Sequence, residues 1–164
     1  MPESVLGIGS AVFKNCTALT SITLSKNLVY LGDNAFEGCT KLAALDLPPA
    51  LTTLGDGVFA DCSSLQSIRL PDGVTAVGSK TFSGCTALTA VILPESVWLI
   101  QNAAFSGCNA LTAIVLPKSV ITIEDYAFNG CKRLAIVTVP KNAAIGEHAF
   151  ADCPVLTAIK QLQN

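Results

Sequence analysis

The stretch Phe105-Ser106-Gly107-Cys108-Asn109-Ala110-Leu111-Thr112-Ala113-Ile114-Val115-Leu116-Pro117 decides the fold, because its outline recurs from one end of the chain to the other. Phe stands at 13, 36, 59, 82, 105, 128 and 150. Cys stands at 16, 39, 62, 85, 108, 131 and 153, and a Leu follows each Cys by three. The step is 23 residues five times and 22 once. Self-similarity at this period marks an array of stacked units, each unable to bury its apolar face alone.

Within the unit, Leu111, Ile114 and Leu116 share one side of an alternating segment while Ala113 and Val115 share the other. That is the pattern of a strand with one buried face. It predicts strands over segments 19–24, 42–47, 65–70, 88–93, 111–116 and 134–139, with a truncated copy at 156–160. Pro48, Pro71, Pro94, Pro117 and Pro140 follow, and proline ends a strand because it has no N–H for the ladder. Next comes an apolar pair three apart, Val97 and Ile100 in this unit, read as a short second strand. Gly9, Gly32, Gly55, Gly78 and Gly146 close it, with Gln101 and Glu124 in the same slot, so a turn favouring positive φ is expected there. Ala103-Ala104-Phe105 is expected to make one helical turn that drops the Phe ring into the core. Strand spacing of ~4.8 Å makes six steps a column of roughly 29 Å with seven Phe along it.

Composition narrows the function classes. Ten basic and twelve acidic residues give a net charge of −2, with no basic stripe, so nucleic acid is not an expected partner. Residues 96–117 carry no charge, a length that would suit a membrane helix. The run contains Gln101, Asn102 and Asn109, ends in Pro117 and is one repeat period, so no membrane insertion is expected. Met1-Pro2-Glu3-Ser4 has no signal-peptide character and enters the repeat at once, which reads as a cut start. Pro154 and the polar Gln161-Leu162-Gln163-Asn164 read as an array end. Without a cap, Ile8, Phe13, Leu19 and Ile22 are expected to form an apolar end face, which makes end-to-end self-association possible.

The unit Ala104-Phe105-Ser106-Gly107-Cys108 through Leu116-Pro117 resembles the BspA-like, or Treponema-type, class of leucine-rich repeats. That class repeats Ala-Phe, Cys, then Leu, Ile and Leu-Pro, then Val and Ile-Gly. The likeness covers essentially all of residues 1–164, seven repeats read as one domain of a longer protein. Departures are Val12, Val58 and Thr81 in the Ala slot, and Gln101 and Glu124 in the Gly slot. The resemblance implies an α/β-type, mostly β repeat solenoid, right-handed, with a parallel concave sheet. It also implies a cell-surface or secreted adhesion protein that binds host or matrix proteins, with no catalytic residues and no cofactor.

Seven cysteines, an odd number in equivalent slots, read as free buried thiols. Rungs ~4.8 Å apart hold Cβ atoms beyond the ~3.5–4.5 Å a disulfide needs. A linear ladder does not close around a metal ion either. His148 and Cys153 are five apart, but Cys153 belongs to the ladder and no third group orients the His, so the pair does not make a nucleophile site. Thr20, Thr89, Thr112 and Thr157 suggest an ice-binding row that Ala43, Gln66 and Ala135 interrupt. Ordinary strand preference for Thr explains it.

The binding surface is expected on the outward strand slots. One slot reads Thr23, Asp46, Arg69, Ile92, Val115, Thr138 and Lys160. The slot two before it contains Ala90, Ala113 and Ile136. Ile92, Val115 and Ile136 make an apolar patch with Asp46 and Arg69 on one side and Lys160 on the other, the anatomy of an interface. β-branched residues also simply suit strands. Asp46 and Arg69 are expected to face each other across one rung as a solvated pair or as specificity residues. Trp98 neighbours the buried Val97 in an exposed slot, either as a partner anchor or as cover for adjacent loops. These readings point to a non-catalytic protein-interaction module. A structural or engineered scaffold without a ligand is the alternative, and the irregular exposed slots speak against it.

Overall fold

The computed structural model describes residues 1–162. Each of seven turns opens with a two-residue strand: β1 (Gly7–Ile8), β2 (Tyr30–Leu31), β3 (Thr53–Leu54), β5 (Ala76–Val77), β7 (Leu99–Ile100), β9 (Thr122–Ile123) and β11 (Ala144–Ile145). Longer strands line the opposite, concave side: β4 (Ser67–Arg69), β6 (Ala90–Ile92), β8 (Ala113–Val115), β10 (Ile136–Val139) and β12 (Ala158–Gln161). Every pairing is parallel and joins equivalent residues of successive turns, as Arg69 with Ile92 and Thr138 with Lys160. The protein is a parallel-strand solenoid, mostly β.

The ladders are not continuous. On the concave side β4 pairs only with β6, and β12, β10 and β8 form a second sheet. The short strands divide into β1-β2-β3 and β11-β9-β7-β5. The breaks are staggered: where the outer ladder stops between β3 and β5, the inner pair β4–β6 is intact. Segments 19–24 and 42–47, expected as strands, form none: no backbone bond joins the two, and only Gln66 N to Ala43 O reaches segment 42–47 from the third turn. The last copy, expected to be truncated, is a four-residue strand.

What runs through every turn is the Phe-Cys segment. It contains no helix among the described residues, which corrects the expected helical turn. Ala103 and Gly107 lie at φ of 54° and 73°, on either side of Phe105, and such left-handed residues stop helix propagation. The same two slots are left-handed in most turns, as at Asn34 and Gly38 or Lys80 and Gly84. Between them the Phe N–H donates to the next turn: Phe36 to Val58 O at 2.9 Å, Phe82 to Ala104 O at 2.8 Å, Phe105 to Ala127 O at 2.7 Å. The rings stack in parallel with centroids 5.0 Å apart at Phe13–Phe36 and 5.8 Å at Phe36–Phe59.

The glycines after the short strands are not left-handed, against expectation, and serve close approach instead. A Cβ on Gly32, Gly55 or Gly146 would lie 2.6 Å from the backbone N of Ser10, Asp33 or Asp125 in the turn before. Gln101 and Glu124 occupy this slot above Ser79 and Asn102, and their side chains do a job Asp does elsewhere. Asp33 Oδ1 accepts from Asp56 N at 2.9 Å, whereas Glu124 Oε2 accepts from Asn102 N at 2.8 Å. Ser79 N is reached from both sides, by Asp56 Oδ1 and Gln101 Oε1. Thr81, an exception in the Ala slot, is fully buried and donates its hydroxyl to Gly78 O at 2.9 Å.

The cysteines are free and do more than fill space. Each thiol from the second turn on donates to the Phe carbonyl of the turn before: Cys62 to Phe36 O at 3.2 Å, Cys85 to Phe59 O at 3.1 Å, Cys131 to Phe105 O at 3.1 Å. The same carbonyl takes the Cys N–H of its own turn, as Phe59 O from Cys62 N at 3.1 Å. Both lone pairs of a buried acceptor are thus used. Burial pushes the Cys62 thiol from its ordinary 9.0 up to about 12, and the Cys39 thiol in the turn before adds to it. Burial raises Cys85 in the same way.

Three measurements check this interior. Phe82→Ala should cost ~3–5 kcal/mol in urea unfolding, and Phe150→Ala clearly less, because Phe82 is fully buried and Phe150 is not. Equal losses would contradict the stacked core. Ellman titration of the native protein should detect the half-buried Cys16 and Cys153, and denaturation without reductant should release the other five. The buried thiols should leave stability unchanged below pH 9 and lower it as pH rises from 9 toward 12. The unfolded thiols release protons there and the folded ones do not, at ~1.4 kcal/mol per pH unit for each such thiol. A melting temperature flat from pH 8 to 11 would refute it.

Candidate functional site: the concave sheet

Alternation along the strands sends Ile68, Ile114 and Val137 into the core and their neighbours outward. Ile92 is 51% exposed, Val115 64% and Ile136 36%. Ile92 and Val115 occupy one column, while Ile136 pairs with Ala113 and so sits diagonally from Val115. The small Ala90 and Ala113 leave the three branched side chains standing proud of the sheet. The β6–β8 discontinuity runs between Ile92 and Val115, so the apolar patch straddles a break in the ladder.

Asp46 and Arg69 are both exposed on successive turns, but no ion pair joins them among the described residues. The backbones at this junction are not laddered, so the side chains are not held opposite each other. They border a cleft of ≈ 280 Å³ with Leu45, Leu47, Pro49 and Pro71. Lys160 lies exposed on β12 beside Thr138 of β10, at the other edge of the patch.

Trp98 is on a different face, just before β7, and is 43% exposed. Its O accepts from Ile121 N at 2.9 Å, and Ile121 is itself 57% exposed in the same slot of the next turn. His148 and Cys153 are engaged separately. The His ring stacks on Tyr126 at 5.1 Å, and the Cys thiol donates to Phe128 O at 3.1 Å. Burial raises the Cys153 thiol, the opposite of the lowered value that activates a catalytic cysteine. Of the expected end face, Ile8 is buried, and Phe13, Leu19 and Ile22 are half-buried. Among the described residues no helix is long and apolar enough to cross a membrane. Periodicity could not have found the thiol–carbonyl bonds, because a Cys column looks the same whether it only packs or also donates.

Compared with protein-family models, the chain matches the one described as "BspA type Leucine rich repeat region" in six copies, over residues 1–112 and 52–164. The chain belongs to this family. Among solved structures, the BspA-type chain is similar to the T. pallidum Leucine Rich Repeat protein, at 33% identity and a TM-score of 0.89, covering 93% of this chain and 72% of that one. A leucine-rich repeat protein from Bacteroides ovatus aligns at 27% identity and a TM-score of 0.73, over 98% of this chain and 48% of its own. A leucine rich cell surface protein from Faecalibacterium prausnitzii aligns at 28% and 0.64, over 97% and 59%. The BspA-type repeats here therefore span about half to three quarters of these relatives. No curated protein gives a significant sequence match.

Proposed function

We propose that the seven repeats act as one non-catalytic protein-binding unit, adhesin-like, exposed at a cell surface or secreted. The concave sheet is the contact face, and host, matrix or cell-surface proteins are the partners. The observation that carries this reading is the apolar run of Ile92, Val115 and Ile136 on three consecutive turns, exposed where a parallel sheet needs no apolar side chains for its own packing. An apolar centre inside a charged rim of Asp46, Arg69 and Lys160 is how a protein surface excludes water at its middle and selects its partner at its edge. Family membership and the cell-surface relative support the location. Trp98 is a separate outside candidate, large and rigid enough to anchor a partner.

The test is a pull-down of immobilised extracellular-matrix and cell-surface proteins with the wild-type chain and two variants. Val115→Asp should weaken capture by roughly 30-fold or more, the loss of a hot-spot contact of ~2 kcal/mol, with an unchanged melting temperature. Trp98→Ala should bind as wild type. If Val115→Asp binds normally and Trp98→Ala does not, the contact face is the one bearing Trp98.

A further inference from the structure

Segment 44–47 of the second turn is laddered to neither neighbour on the concave side. Segment 44–47 forms no strand, and the one backbone bond reaching it from the third turn is at its start, Gln66 N to Ala43 O at 3.1 Å. By the register of the later turns, Leu45 N would donate to Ser67 O and Leu47 N to Arg69 O; neither bond is made. A second cleft of ≈ 490 Å³ opens on its other side, toward Ile22 and Leu24, so this segment stands apart from both neighbours.

Pro48-Pro49 is the one Pro-Pro pair in the chain, at a place where other turns have a single proline. Two successive prolines lock extended dihedrals and remove two N–H groups, which makes a rigid rim at the end of this segment. The cleft toward the third turn is walled by charge as well as by proline. Asp46 and Asp72 stand with Arg69 around it, and no ion pair engages any of the three among the described residues.

Unsatisfied strand-type N–H and C=O groups, rigid proline rims and unpaired charges of both signs together describe a surface for polypeptide. From this we infer that the Asp46–Arg69 cleft receives an extended peptide segment of the partner, lying across turns two and three. Its backbone meets the groups that segment 44–47 leaves unpaired, main-chain bonds giving affinity and the charges choosing the side chains. A Lys or Arg on the segment is held by Asp46 and Asp72, and an Asp or Glu within two residues of it meets the Arg69 guanidinium in a forked geometry. A folded convex surface would span the apolar patch but would not reach these backbone groups. The inference rests on the protein-binding reading above and adds the partner's local chemistry.

A positional-scanning library of blocked hexapeptides, applied to the full chain, tests it. The wild type should enrich peptides with a basic and an acidic residue at most two positions apart. Arg69→Gln should erase the acidic preference and Asp46→Asn the basic one, each weakening the best peptide roughly tenfold or more, the scale of a charge-assisted hydrogen bond. Val115→Asp should leave the peptide selection unaltered. Lysine and glutamate variants, Arg69→Lys and Asp46→Glu, should retain the charge preferences and report any loss caused by misfolding. Random enrichment, or a selection that neither charge removal alters, overturns the cleft assignment. Charge-directed selection by the cleft alongside failure of the protein pull-down would overturn the apolar patch instead.

Discussion

The structure depends on the Phe carbonyl. In each interior turn it accepts the Cys N–H of its own turn and the Cys thiol of the next, while the Phe N–H points up the column to the following turn. A buried acceptor without partners costs about 1–3 kcal/mol, so a column of such carbonyls would be untenable without this arrangement. The left-handed residues on either side of the Phe keep the segment out of a helix and leave its N–H free for the next turn. Ring stacking then follows from the register of the backbone, with planes within 14° of parallel throughout.

With the column carried by this spine, the two sheets are free to be imperfect. Each junction between turns retains at least one ladder, and the inner and outer breaks do not coincide. That tolerance lets the surface slots differ from turn to turn while Phe and Cys stay periodic. It also explains the exchange of Asp from one turn for Gln or Glu from the next: the amide must be bonded, but the direction from which the oxygen arrives is open.

For a binding protein the consequence is a rigid core under an editable face. The exposed slots of β6, β8 and β10 can take Ile or Val without disturbing the interior, because their Cβ atoms point away from it. The unladdered junction between the second and third turns adds a different surface, unpaired backbone beside free charge. The cleft adjoins the apolar patch on the same face, where Arg69 pairs with Ile92.

The strand period, the seven-fold array, the buried Phe and the unpaired cysteines were all legible in the sequence, because a 23-residue repeat states the same physical demand many times. So was the exposure of Ile92, Val115 and Trp98, which follows from alternation. The tertiary structure alone decided which glycines are left-handed: Gly38 before Cys39 is, and Gly32 after β2 is not. It alone decided that the thiols donate hydrogen bonds, that segment 42–47 forms no strand, and that Asp46 and Arg69 border a cleft without pairing. Each of these depends on where the neighbouring turn's backbone stands to within an ångström, and a residue's type does not carry that distance.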